Sequence, residues 1–221
     1  MEKINWNIKN LWKGCILVSI ANAIGVARYP DFSYEHSWDG INYCRNDSSG
    51  SRGTISFTDD YCVGVFRNEK TERAYKNFKP ALEYLKTAPE KIIELAEKET
   101  LQYVLDEIEG KNQPAITTAF WGNANGIFSN DSFDNFLKYG GKLLEIESMD
   151  TESAISELID NYEFSDEEVE LLKSVYKRKI INPNDAITLT KKEIAIIGAD
   201  YDELDIDECE TSFKELNIFF K

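Results

Sequence analysis

The 221-residue sequence predicts an α+β fold: a small antiparallel β-meander packed on a buried N-terminal helix, followed by a mainly helical, acidic C-terminal half. Three observations carry this reading. Residues 10–27 form one apolar run with no polar face, residues 37–67 hold pleat-friendly runs broken by turn residues, and from about residue 80 apolar positions recur at helical spacing behind capping residues. The expected organisation is a helix plus meander over 1–80 and a helical acidic region over 81–221, packed together as one compact unit.

The run NLWKGCILVSIANAIGVA is apolar nearly all round when wound at roughly 3.6 residues per turn, as in a helix enclosed by its own domain. Asn10 is the expected cap, and Tyr29-Pro30 ends the helix because the residue before proline is pushed out of the helical region. Lys13, Ser19 and Asn22 interrupt it too often for a membrane span, which takes roughly 20 apolar residues. A charged leader before about a dozen apolar residues also fits the hydrophobic region of a secretory signal. The expectation is instead that the segment stays in a cytoplasmic protein as its central helix. Cys15, Cys44, Cys62 and Cys209 fall into no zinc-type spacing and are expected to be reduced.

Residues 33–67 gather the single histidine, two of the four cysteines and six aromatics. Runs 37–45 and 54–67 flank the Gly/Ser/Asn/Asp cluster 46–53, and Asp59-Asp60 marks a second turn, giving three strands. Alternation of Ile55, Phe57, Val63 and Val65 with Thr54, Ser56, Thr58, Gly64 and Phe66 suggests one buried and one less buried face.

Beyond the meander, helices are expected at 80–85, after Thr87, and over 100–108 with Gly110 as the stop. Residues 114–121 read as a strand leading into the turn GNANG, with Trp121 and its asparagines open to a ligand in the less favoured reading. A helix follows Ser129 and stops at Gly140-Gly141, residues 142–146 form a short strand, and helices start at Asp150 and at Ser165. At the latter, Glu168 three positions on completes a capping box. Residues 182–185 form a turn, Thr190 starts a short helix, and 200–220 alternates weakly between acids and apolar residues.

Charge is the strongest functional signal. The chain carries 40 acids against 25 bases, a formal −15; residues 1–80 hold 9 acids and 11 bases, which leaves 31 and 14, or −17, for residues 81–221. Eleven acids lie in 143–172 and eight in 193–213, with no lysine or arginine in either stretch. Such a surface repels nucleic acid and anionic membranes and attracts a basic protein, such as a toxin or a nucleic-acid-binding enzyme, at rates that fall with salt. Glu163, Asp166, Glu167, Asp200, Asp202, Glu203, Asp205 and Asp207 are the expected contact residues. The expected function is a non-enzymatic acidic binder of the kind represented by bacterial immunity proteins, antitoxins and inhibitors.

Other chemistries find little support. The spacing of Gly122 and Gly126 lacks the Gly-Lys-Ser/Thr of a phosphate loop. The acidic run from Asp200 has Asp205 and Thr211 where a calcium loop needs glycine and glutamate, so neither metal nor cofactor is expected. The alternative is a thiol enzyme. Gly14-Cys15 early in a helix, His36-Ser37-Trp38 opening a strand, and Asp39 or Asp47 beyond it give a nucleophile, a base and an orienting carboxylate. Over residues 14–47 this order resembles transglutaminase-like and papain-like cysteine enzymes, which implies hydrolase or transferase chemistry at Cys15. On the other reading Cys15 is core and His36 caps or pairs with a nearby acid.

Overall fold

The computed structural model describes residues 1–108 and 110–221. In chain order it begins with β1 (Glu2–Ile4), α1 (Ile8–Gly25), β2 (His36–Asp39), β3 (Asn42–Asn46), β4 (Ser51–Phe57) and β5 (Cys62–Asn68). Then come α2 (Glu90–Lys98), β6 (Leu105–Ile108), β7 (Lys111–Pro114), β8 (Thr118–Asn123), β9 (Gly126–Ser129) and α3 (Phe133–Lys138). The chain finishes with α4 (Thr151–Tyr162), α5 (Asp166–Ile181), β10 (Ile187–Leu189), α6 (Lys191–Ile194), α7 (Ile206–Glu215) and β11 (Ile218–Phe220). This is the α+β class that the sequence predicts. Two compact units share the chain, each discontinuous: the first is 1–10 with 39–145, the second 11–38 with 146–221.

The first unit is built on an antiparallel sheet. The expected meander is present as β3–β4–β5, and it belongs to a seven-stranded sheet in the order β1-β9-β8-β5-β4-β3-β2. The run 37–45 is divided by a turn at Gly40, whose φ of +59° suits glycine. Both faces of β5 are buried, which corrects the expectation of one less buried face. Val63 and Val65 pack with Tyr84, Leu85, Ile92, Leu101 and Trp121, whereas Phe66 on the other face joins Phe120 and Phe136, with Trp6 edge-on to the last two. Gly64 is required on that second face, because a Cβ there would lie 2.4 Å from the Phe120 ring. Trp121 is 1% exposed, so it is a core residue with no surface to offer a ligand.

Three elements of this unit differ from the sequence reading. Residues 100–108 are a 3-10 turn (Thr100–Val104) followed by β6, which pairs with β7 in a hairpin instead of continuing a helix. Only Leu101 and Val104 of the helical-looking spacing are buried; Leu105 is exposed, so no apolar stripe holds a further helical turn there. Residues 141–144 are likewise a 3-10 turn, with Leu144 buried, where a strand was expected. Thr87 caps nothing; α2 begins after Pro89, without a side-chain cap.

The second unit is organised by α1 from Leu11 onward. From Gly14 to Gly25 every residue of the helix is buried, which fits its lack of a polar face. Its start is capped by Asn7, whose Oδ1 accepts the Asn10 amide at 3.2 Å, so Asn10 is the capped and not the capping residue. Cys15, Ile16, Ile20 and Ile24 lie in the interior, and the cluster around α1 takes in Leu158 of α4, Leu172 and Val175 of α5, Phe213 of α7 and Ile218 of β11. The capping boxes at Ser165/Glu168 and Thr190/Glu193 are both formed. Residues 200–220, read as weak alternation, contain α7 and then β11, which pairs in parallel with β10. Among the described residues no helix is long and apolar enough to cross a membrane.

Candidate partner-binding cleft

The end of α1, the α4–α5 junction and the segment before α7 meet around Arg28. Helix α4 is stopped by Glu163, which adopts the left-handed conformation at φ +53°. That turn sends Phe164 inward, where it stacks on Tyr162 with ring centroids 5.4 Å apart, and sets Ser165 as the cap of α5. On the far side Gly198, at φ +66°, turns the chain after α6; a Cβ there would meet Leu204 at 2.4 Å. The following acids are then tied to the end of α1 by the Asp205 amide, which donates to the Ala27 carbonyl at 2.8 Å.

Arg28 follows directly and is 2% exposed in its side chain. Its Nη1 donates to Glu168 Oε1 at 2.6 Å and its Nη2 to the Tyr162 carbonyl at 2.7 Å. The same carboxylate accepts the amides of Gly198 at 3.0 Å and Ser165 at 3.0 Å, so the buried ion pair is closed by backbone donors. The guanidinium lies 4.8 Å from the Tyr201 ring centroid, 5.5 Å from Phe164 and 6.0 Å from Tyr29, so one cation is surrounded by three aromatic rings.

Outside this plug an open cleft of about 330 Å³ is lined by Arg28, Glu163, Phe164, Ser165, Glu168, Ala199, Asp200 and Tyr201. Tyr201 is 41% exposed, Glu163 and Asp200 are exposed, and the Tyr29 hydroxyl donates to Glu163 Oε2 at 3.1 Å. That hydrogen bond, with burial adding to it, raises the Tyr29 phenol above its usual range. The cleft thus has an aromatic wall, a neutralised floor and two carboxylates at its mouth.

All eight carboxylates named from the sequence lie in the second unit and are exposed. Glu163 and Asp200 line the cleft, Asp202 and Glu203 follow Tyr201, and Asp166 and Glu167 occupy the first turn of α5. Asp205 also serves as the cap of α7, accepting the Glu208 amide at 2.9 Å, and Asp207 lies in that helix's first turn. Among the described residues none of the eight is in an ion pair with lysine or arginine. Several arginines of the first eighty positions are committed elsewhere: Arg52 and Arg67 to Glu69 and Asp106, Arg73 to Asp131, and Arg28 to Glu168. The second unit holds 22 of the chain's 40 acids and 10 of its 25 bases, a formal −12 out of −15.

The residues of the thiol reading are placed differently. Cys15 lies eight positions into the chain of α1 and not at its tip, and it has no exposed surface. His36 opens β2 and is 5% exposed. Asp39 accepts the Tyr103 hydroxyl at 2.7 Å, a bond that pushes that phenol up to about 12. Asp47 organises its own loop, accepting the amides of Ser49 and Ser51 at 2.8 Å; burial opposes its charge, but those amides hold it below the usual carboxylate range. A nucleophile reached by substrate needs a thiol that opens to a cleft, and Cys15 does not.

The sequence indicates that these acids are exposed but not the aromatic wall beside them. Arg28 and Glu168 are 140 positions apart, so nothing local announces their pairing, and Tyr201 was read only as part of an acidic run. Among the described residues no group of three His, Cys, Asp or Glu side chains is placed to hold a metal ion. No protein-family model, curated protein or solved structure matches this chain.

Proposed function

We propose that this protein is a non-enzymatic acidic binder, of the immunity-protein, antitoxin or inhibitor kind, that covers a basic surface of a protein partner with its second unit. The observation that supports it most is the state of the eight carboxylates: all exposed, none engaged by a lysine or arginine among the described residues, and gathered in the unit that carries −12. Acids placed only for solubility need no aromatic wall between them, whereas protein interfaces combine a charged rim with aromatic anchors. Four thiols suit a reducing, cytoplasmic setting. Nucleic acid and anionic membranes are repelled by the same field that draws in a basic protein.

The test is a pull-down from the native host, washed at low and high salt, alongside a variant carrying Asp200→Asn, Asp202→Asn and Glu203→Gln. A basic protein retained at low salt, released at high salt, and captured by the variant with an association rate lower by on the order of tenfold is the expected outcome. Recovery of no salt-sensitive basic partner, or of one that binds the variant equally well, overturns the reading.

A further inference from the structure

We infer that the cleft receives an arginine side chain of that basic partner, in preference to lysine, with the guanidinium stacked on the open side of Tyr201 and paired with Glu163 and Asp200. This rests on the reading above and adds which cation the surface selects.

The protein already shows the chemistry once, on the inner side. Arg28 lies 4.8 Å from the Tyr201 centroid and is paired with a carboxylate, so the ring accepts a stacked guanidinium. Because Glu168 neutralises Arg28 at 2.6 Å, the floor does not repel a second cation as a lone arginine would. The mouth is still unsatisfied: Glu163 spends one oxygen on the Tyr29 hydroxyl, and Asp200 has no ion-pair partner among the described residues. A planar, weakly hydrated guanidinium can stack on an aromatic face while donating in its own plane to carboxylates on either side; an ammonium, strongly hydrated and compact, cannot do both.

Two further observations point to a peptide segment as the carrier. Among the described residues Arg28 Nε–H finds no acceptor, in a side chain only 2% exposed at the cleft floor, and a peptide brings carbonyl acceptors along with its cation. Beside Tyr29, at 6.1 Å between ring centroids, Phe32 is 42% exposed and extends the aromatic surface, as an apolar anchor beside a charged pocket does.

The experiment titrates the full chain with hexa-arginine and hexa-lysine peptides at one ionic strength, reading tyrosine and tryptophan fluorescence or calorimetric heat. Hexa-arginine is expected to bind more tightly by on the order of tenfold, a preference within reach of a single cation–π contact. Tyr201→Ala and the milder Glu163→Gln/Asp200→Asn pair should each bring hexa-arginine down to the level of hexa-lysine, while Glu157→Gln, an exposed charge lost elsewhere on the same unit, should leave the preference in place. Equal salt-sensitive binding of the two peptides, or a preference that survives Tyr201→Ala, overturns the arginine cleft and leaves the acidic-binder reading standing. Binding of neither peptide overturns both.

Discussion

Arg28 shows how a single residue sets the shape of the cleft. Its guanidinium cannot be moved without stranding Glu168, because each side chain is 2% exposed and each is the other's ionic partner. Removing one member of such a pair leaves a buried charge with amide partners only, a loss of about 3–5 kcal/mol, whereas replacing both with apolar groups of similar volume costs far less. Arg28→Met should therefore lower stability by about that amount in urea unfolding, and Arg28→Met/Glu168→Gln, which removes both charges but keeps an oxygen for the Ser165 and Gly198 amides, should recover much of it. If the single variant is as stable as the parent, the pair does not hold the cleft together. At this scale the sequence is informative about what is exposed and poor about what is paired. The exposure of the eight acids was legible because most carboxylates of a base-free run stay in water; Glu168, in the same run, was not, because its pairing with Arg28 across 140 positions leaves no local trace.

Among the elements, the helices that announce themselves are those whose ends are written locally. Ser165 with Glu168 and Thr190 with Glu193 each satisfy two orphan amides within four residues; the first box forms as the sequence predicts, and the second closes the start of the short helix expected at Thr190. Elements defined by distant partners are the ones sequence reasoning lost. β10 and β11 are three residues each and exist only by pairing with one another, and the 100–108 segment trades a helical spacing for a hairpin closed by β7. The box at Thr190 also carries a pH dependence. Burial opposes the Glu193 charge, but the Thr190 amide and hydroxyl and the Arg178 guanidinium hold its carboxyl below the usual range. Its folded pKa being depressed, this stabilisation is complete above the ordinary glutamate range and is lost as pH falls through the folded value. Thr190→Ala should cost about 1 kcal/mol at neutral pH and flatten the acid limb of a stability–pH curve; an unchanged limb would show that Glu193 does not depend on the cap.

At the scale of the whole molecule, charge is distributed by unit. The second unit concentrates −12, and its eight exposed acids without a lysine or arginine partner among the described residues repel one another in the folded state. Screening should relieve that repulsion: going from about 0.01 M to about 0.15 M salt shortens the Debye length from roughly 30 Å to roughly 8 Å. The urea midpoint should accordingly rise with salt, and the Asp200→Asn/Asp202→Asn/Glu203→Gln variant should be less salt-sensitive; a midpoint that falls with salt would mean that attractive pairs outweigh the repulsion. The α+β class was readable because the buried helix, the meander and the acidic helices each carry their own periodicity, while the division into two discontinuous units was not, because it depends on which segments come back together. That return has a cost in time. The hydroxyl of Tyr162 donates to Asn22 of α1 across 140 positions, and most of the helix's apolar cover comes from residues as late or later. As the chain leaves the ribosome, its most water-averse segment is made early and waits through the synthesis of an entire sheet before its own partners appear, which makes α1 the natural grip for a holding chaperone on the nascent protein.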